Sequence, residues 1–195
     1  MTTMTTNPNP STPQTQTRTW TWLLVPGTAH FAKNRSSFKT YHRAPGKIAN
    51  KRVLGIGDVE LKVRRGPDDD RMNTLVLRDV LHMPQARWNG LCVGKVREEG
   101  DEVAVDVEGD GDGDGDGEYL QAWSAGEEGG HGEALWYGEG YRGCSRVVLW
   151  GDPRGNESGF DDYDDKVGGV DVSGVDASAE ELDTLHARVR ERSLM

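Results

Sequence analysis

Val53-Leu54-Gly55-Ile56-Gly57-Asp58-Val59-Glu60-Leu61-Lys62-Val63 is the stretch that decides the fold. Val59, Leu61 and Val63 alternate with Asp58, Glu60 and Lys62. That period of two places one set on an apolar face and the other in water, as in a half-buried strand. Gly66-Pro67-Asp68-Asp69-Asp70 then reads as a turn, and Thr74 to Met83 alternates again. Leu75, Leu77, Asp79 and Leu81 share one side, while Val76, Arg78, Val80 and His82 share the other. A carboxylate interrupting the apolar side predicts a bulge or strand end near Asp79. Two long alternating runs joined by a turn form the nucleus of an antiparallel sheet.

Working outward, Thr19 to Val25 is a continuous aromatic and aliphatic run stopped by Pro26-Gly27, and reads as a strand. Lys33 to Phe38 suits a short helical turn, and Pro45-Gly46 suits a turn ahead of a weaker strand over Lys47–Leu54. Leu91–Val96, the Val103-Val105-Val107 alternation, Glu118–Trp123, Ala134–Tyr137 and Arg146–Trp150 add further short strands. Many short strands separated by turn signals predict a mainly β sandwich or barrel. Near the C-terminus the pattern changes. Ser178-Ala179-Glu180-Glu181 fits a capping box, and Leu182, Leu185 and Val189 follow at helical spacing. Acidic residues open this helix and arginines close it, as the macrodipole favours.

Composition divides the rest of the chain. Residues 1–18 offer almost nothing to bury and read as a disordered leader without an apolar signal-peptide core. The expected domain occupies 19–155, with an acidic low-complexity insertion near 108–117 that contains the Gly109–Gly117 Gly-Asp repeat. A Gly/Asp/Ser-rich flexible linker is expected over 156–177, and the helix over 178–192. The net charge of −10 is unevenly spread. Residues 1–97 carry 16 Lys/Arg and 6 Asp/Glu, giving +10, while residues 98–195 carry 7 and 27, giving −20. Two differently charged surfaces follow, partly neutralising each other. No apolar run reaches the roughly 18 residues of a membrane helix. Two cysteines, Cys92 and Cys144, make no disulfide framework. The sequence therefore reads as intracellular, cytoplasmic or nuclear.

Several motifs occur in a recognisable order. They are Trp22-Leu23-Leu24-Val25-Pro26-Gly27, His30, Phe38 and Tyr41, Gly55-Ile56-Gly57 with Val59 and Leu61, Leu75 to Pro84, Asn89-Gly90-Leu91, and later Val147 to Gly155. This resembles the β-barrel domain of copia-type retrotransposon Pol polyproteins, also called the TNT-transposon-like β-barrel, in a degenerate stand-alone copy. The likeness implies a retropepsin-like fold, a small closed or partly open β-barrel. In that family a Trp-x-x-Asp-Ser-Gly-Ala segment precedes a His. Here Val25 stands at the aspartate, Pro26 replaces the Ser/Thr, Gly27 remains, and the spacing to His30 is one residue shorter. Aspartic proteases activate water between two carboxylates that share a proton. Valine has no ionisable group, so general acid or base work at that position is excluded. The resemblance thus implies a non-catalytic domain that acts through an unidentified protein partner. Self-association is a further expectation, because related proteases dimerise.

Other chemistry is weakly supported. Asp110, Asp112 and Asp114 begin like a calcium loop, but position 12 is Gln121 and strands flank the run. Gly55-Ile56-Gly57 lacks the third glycine of a dinucleotide fingerprint. The histidines lack metal-ligand spacing, and His30, His82 and both cysteines read as structural, so no metal or cofactor is expected. The alternative function rests on Lys33, Arg35, Lys39, Arg43, Lys47, Lys51 and Arg52, which interleave with Phe31, Phe38 and Tyr41. Such cations attract phosphates and exposed aromatics stack on bases, which would make residues 31–52 a nucleic-acid-binding module. The competing reading puts the aromatics in the core and the cations on a solvated rim.

Overall fold

The computed structural model describes residues 21–69, 71–99, 104–108, 119–125, 131–141, 143–151 and 173–193. The strands are β1 (Trp22–Val25), β2 (Phe31–Ala32), β3 (His42–Ile48), β4 (Lys51–Arg64), β5 (Met72–His82), β6 (Asn89–Cys92), β7 (Ala104–Glu108), β8 (Tyr119–Ala125), β9 (His131–Tyr141) and β10 (Cys144–Val147). Helix α1 spans Val93–Glu99 and α2 spans Ala179–Ser193, with a 3-10 turn over Arg35–Ser37. All ten strands join one mixed sheet in the order β3-β4-β5-β2-β6-β1-β10-β9-β8-β7. The pairs β1/β6 and β2/β5 are parallel and the others antiparallel. The sheet curls so that Val63 at the end of β4 bridges Leu149 just beyond β10. Arg64 N donates to Val148 O and Trp150 N to Lys62 O across this join. One bridge is not a continuous ladder, so the mainly β expectation holds in its partly open form.

Two apolar cores lie on opposite faces of the central strands. Trp22 and Leu24 enter one core and Leu23 and Val25 the other. β1 is therefore buried on both sides, which is why its sequence is a run and not an alternation. β4 passes from one core to the other. Val53 and Ile56 pack in the second core, whereas Val59, Leu61 and Val63 pack in the first. The change of face comes with a register shift between Gly57 and Val59, opposite which β5 carries an extra residue. That part of β5 contains Asp79, in left-handed backbone at φ 49°. The expected bulge is present there, and it brings Val80, not Asp79, into line with Leu77 in the first core. Asp79 instead meets His186 of α2 at 3.0 Å.

Some local readings are corrected. Pro45-Gly46 is no turn. It lies inside β3, whose register shifts between Arg43 and Gly46, and the chain reverses at Ala49-Asn50, both at positive φ. Proline is tolerated because β3 is an edge strand and need not donate on its outer side. Leu91–Val96 is not one strand: Leu91 and Cys92 end β6, and Val93 to Val96 open α1. Val93 and Val96 sit one turn apart on α1, with Val96 buried, and the Lys95-Arg97-Glu98-Glu99 run favours helix.

The capping box forms as expected. Glu181 N donates to Ser178 Oγ at 3.2 Å, and Ser178 N donates to Glu181 Oε2 at 3.0 Å. Leu185 is 2% exposed in the second core, with Leu182 and Val189 packed beside it. An isolated helix of this length is marginal in water. Burying Leu185 contributes about 1.5–3 kcal/mol, so α2 persists by docking on β3. The Gly-Asp repeat lies outside the described residues, as do the leader and most of the expected linker. Among the described residues no helix is long and apolar enough to cross a membrane.

Candidate functional site

β1 ends at Val25, held parallel to Cys92 of β6. Val25 is 4% exposed and belongs to the second core. After Pro26 the chain turns through Gly27 at φ 109°, a conformation side chains rarely adopt. Three contacts fix the loop from beneath. Cys92 Sγ donates to Gly27 O, Cys92 N donates to Nδ1 of the fully buried His30 at 3.0 Å, and Leu81 N donates to His30 O at 2.9 Å. His30 and Cys92 thus serve as structural pins. The second thiol, Cys144, donates to Tyr141 O, and burial pushes its pKa up.

The outer side of the loop is covered by the chain's own residues 174–177. Gly27 and Val175 form a parallel bridge. Val175 O accepts from Thr28 N at 3.0 Å and Ala29 N at 3.2 Å. Thr28 Oγ1 accepts from Ala177 N at 2.8 Å and donates to Ala177 O at 3.0 Å. The crossing is tight enough that a Cβ on Gly174 would stand 1.7 Å from Pro26 O. Val175 and Ala177 are buried. The last residues of the expected linker therefore form a strap across Pro26-Gly27-Thr28-Ala29, directly after Val25. The sequence signal for it is slight: two apolar residues in a polar run just before a capping box.

The seven cations of the alternative reading do not form one patch. Lys39 pairs with Glu60, and the Arg35 guanidinium lies 3.9 Å from the centre of the Tyr41 ring. Arg43 lies on β3, its carbonyl accepting from Arg192. Lys33 follows β2, its backbone N–H bonded to Asn89 Oδ1. Phe31 and Phe38 are buried core residues. Lys47, Lys51 and Arg52, in contrast, come together on the β3–β4 hairpin and line a cleft of about 620 Å³. Its opposite wall is the Met83–Trp88 segment, including Arg87 and Trp88, and Phe31 reaches it from below. Sequence reasoning misses Arg87 and Trp88, which β5 and β6 bring to the hairpin through their shared neighbour β2. Among the described residues no group of His, Cys, Asp and Glu could hold a metal ion.

Residues 25–101 match the family model described as Pol polyprotein, beta-barrel domain. This segment is similar to a Pol polyprotein β-barrel domain, and the mainly β, partly open sheet is consistent with that class. The matched region begins at Val25, the first residue of the altered loop, and ends just beyond α1. No curated protein and no solved structure matches the chain.

Proposed function

We propose that this chain is a non-catalytic relative of the copia-type proteins that acts by binding and not by hydrolysis. The observation that carries the reading is Val25, a buried aliphatic side chain at the position where the family resemblance requires an aspartate. Two carboxylates about 3 Å apart are needed to share a proton and activate water. A hydrocarbon cannot replace either. The strap gives independent support. A substrate backbone approaching the loop would need the space and the Thr28 and Ala29 N–H groups, which Val175 O already engages. The loop thus resembles a site whose groove has been filled by its own chain.

The test is incubation of the purified full chain with an unstructured protein substrate at acidic and neutral pH, with and without pepstatin. No pepstatin-sensitive cleavage is expected in either condition. Cleavage that pepstatin abolishes, and that survives repurification, would overturn the reading.

A further inference from the structure

We propose that the cleft between the β3–β4 hairpin and the Met83–Trp88 segment binds single-stranded nucleic acid, with phosphates on Lys47, Lys51, Arg52 and Arg87 and an unpaired base against Trp88. This goes beyond the inactive-protease reading and does not depend on it. The first argument is charge. Lys47 and Arg52 are direct cross-strand partners. Like charges directly opposite one another destabilise a strand pair. Among the described residues no carboxylate pairs with either of them, or with Lys51, whose Nζ donates to Gly174 O at 3.1 Å. A polyanion would relieve this repulsion. Glu181, which lines the adjoining groove along α2, is directed at the amides of Ser178 and Ala49. The cationic surface also continues. Lys47 and Arg52 line a second groove along α2 together with Arg188.

The second argument is the aromatic wall. The Arg87 guanidinium lies 5.1 Å from the centre of the Trp88 ring. Stacked guanidinium and aromatic planes are the platforms on which unpaired bases settle. A volume near 620 Å³ is in the range of sites that enclose small ligands. A base swung out of a single strand can enter it, whereas paired bases inside a duplex cannot. An acidic peptide would satisfy the cations but make no use of the flat wall. The overall charge of −10 repels polyanions, so binding has to come from this site and not from the general field.

The test is fluorescence anisotropy with the full chain and labelled oligo(dT) and oligo(U) of about twelve nucleotides. Salt is varied from about 50 to 200 mM. Binding is expected with log K falling against log salt at a slope near −2 to −3, the value for three or four phosphates on a single strand at roughly 0.7 each. Lys47→Ala with Arg52→Ala, at exposed positions that leave folding intact, should weaken binding at least ~10-fold and remove about 1.4 from the slope. Trp88→Leu should weaken binding roughly 5- to 100-fold while leaving the slope unchanged, because stacking releases no counterions. If Trp88→Leu lowers the unfolding midpoint, Trp88→Phe replaces it and should retain most of the affinity. Three results would overturn the proposal. They are no single-strand binding at the lowest salt, equal affinity for a duplex or for polyglutamate of matched charge, and unchanged affinity in the Lys47/Arg52 double variant.

Discussion

Replacing Gly27 with alanine should undock the strap. Gly27 has φ 109°, and a Cβ there would stand 2.7 Å from Val175 O and 2.9 Å from Val175 N. Forcing a side chain into such a sparsely populated region costs about 1–3 kcal/mol. The obstructing atoms are backbone, so they cannot turn aside as the end of a side chain would. Relief requires the strap to lift, which breaks the bonds from Thr28 N and Ala29 N to Val175 O. Each is worth about 1 kcal/mol net. The total is about 3–5 kcal/mol, large beside the roughly 5–15 kcal/mol that holds a domain together. Urea denaturation gives the stability change, and hydrogen exchange at Thr28 and Ala29 shows where it arises. Both amides should lose protection, and cleavage by added protease should become faster between Val175 and Ser178. A Gly27→Ala protein within about 1 kcal/mol of the parent, with both amides still protected, would refute the reasoning.

Four further outcomes are expected. Val25→Asp should destabilise the fold by about 3–5 kcal/mol, the scale of an uncompensated buried charge, and should still yield no pepstatin-sensitive cleavage, because the strap stays across the loop; denaturation and the cleavage assay read the two parts. Ser178→Ala should cost about 1 kcal/mol by removing the N-cap acceptor of α2, measurable as a fall in the denaturation midpoint. Hydrogen bonds from the amides of Ser178 and Ala49 hold the Glu181 carboxyl below its usual pKa. Its stabilisation is therefore present above about pH 4.5 and lost as pH falls through the folded value, so Glu181→Gln should flatten the loss of stability in that acid range, read from denaturation midpoints against pH. Burial holds the His82 pKa below its ordinary 6.5. The unfolded chain then binds the proton first, so stability should fall as pH drops below about 6.5. The part of that slope near pH 6 should shrink in His82→Phe; an unchanged slope there would remove His82 as its source.

The paired strands β4 and β5 and the start of α2 are legible in the sequence because their signals are local. Val59-Leu61-Val63 marks a face within five residues, and Ser178 with Glu181 marks a cap within four. Asp79 also announces its bulge, since a carboxylate has no stable place on an apolar face unless the backbone turns it out. β3 escapes a sequence reading because Pro45 argues against a strand unless the strand lies at an edge, and edge position is a property of the whole sheet. α1 escapes it because the short Leu91-Cys92-Val93 apolar run, followed by Val96, suits either period. The site is legible only in halves. Val25 can be read where it stands, but the strap over the loop that follows it comes from the pairing of Thr28 with Ala177, 149 residues away. The cleft cations at 47, 51 and 52 are neighbours in sequence, whereas Trp88 reaches them only through the order of β5, β2 and β6.

The outer border of β3 is closed by α2. Arg188 Nη1 donates to Pro45 O at 2.8 Å and Arg192 Nη1 donates to Arg43 O at 3.2 Å, so two carbonyls that would otherwise recruit a new strand are occupied. Proline removes a donor from the same border. Lateral growth by strand addition, whether into a twofold assembly or a fibril, is therefore blocked on this flank for as long as the helix stays seated. Shortening the chain before Ala179 would uncover those two carbonyls and leave β3 open to pairing with another strand.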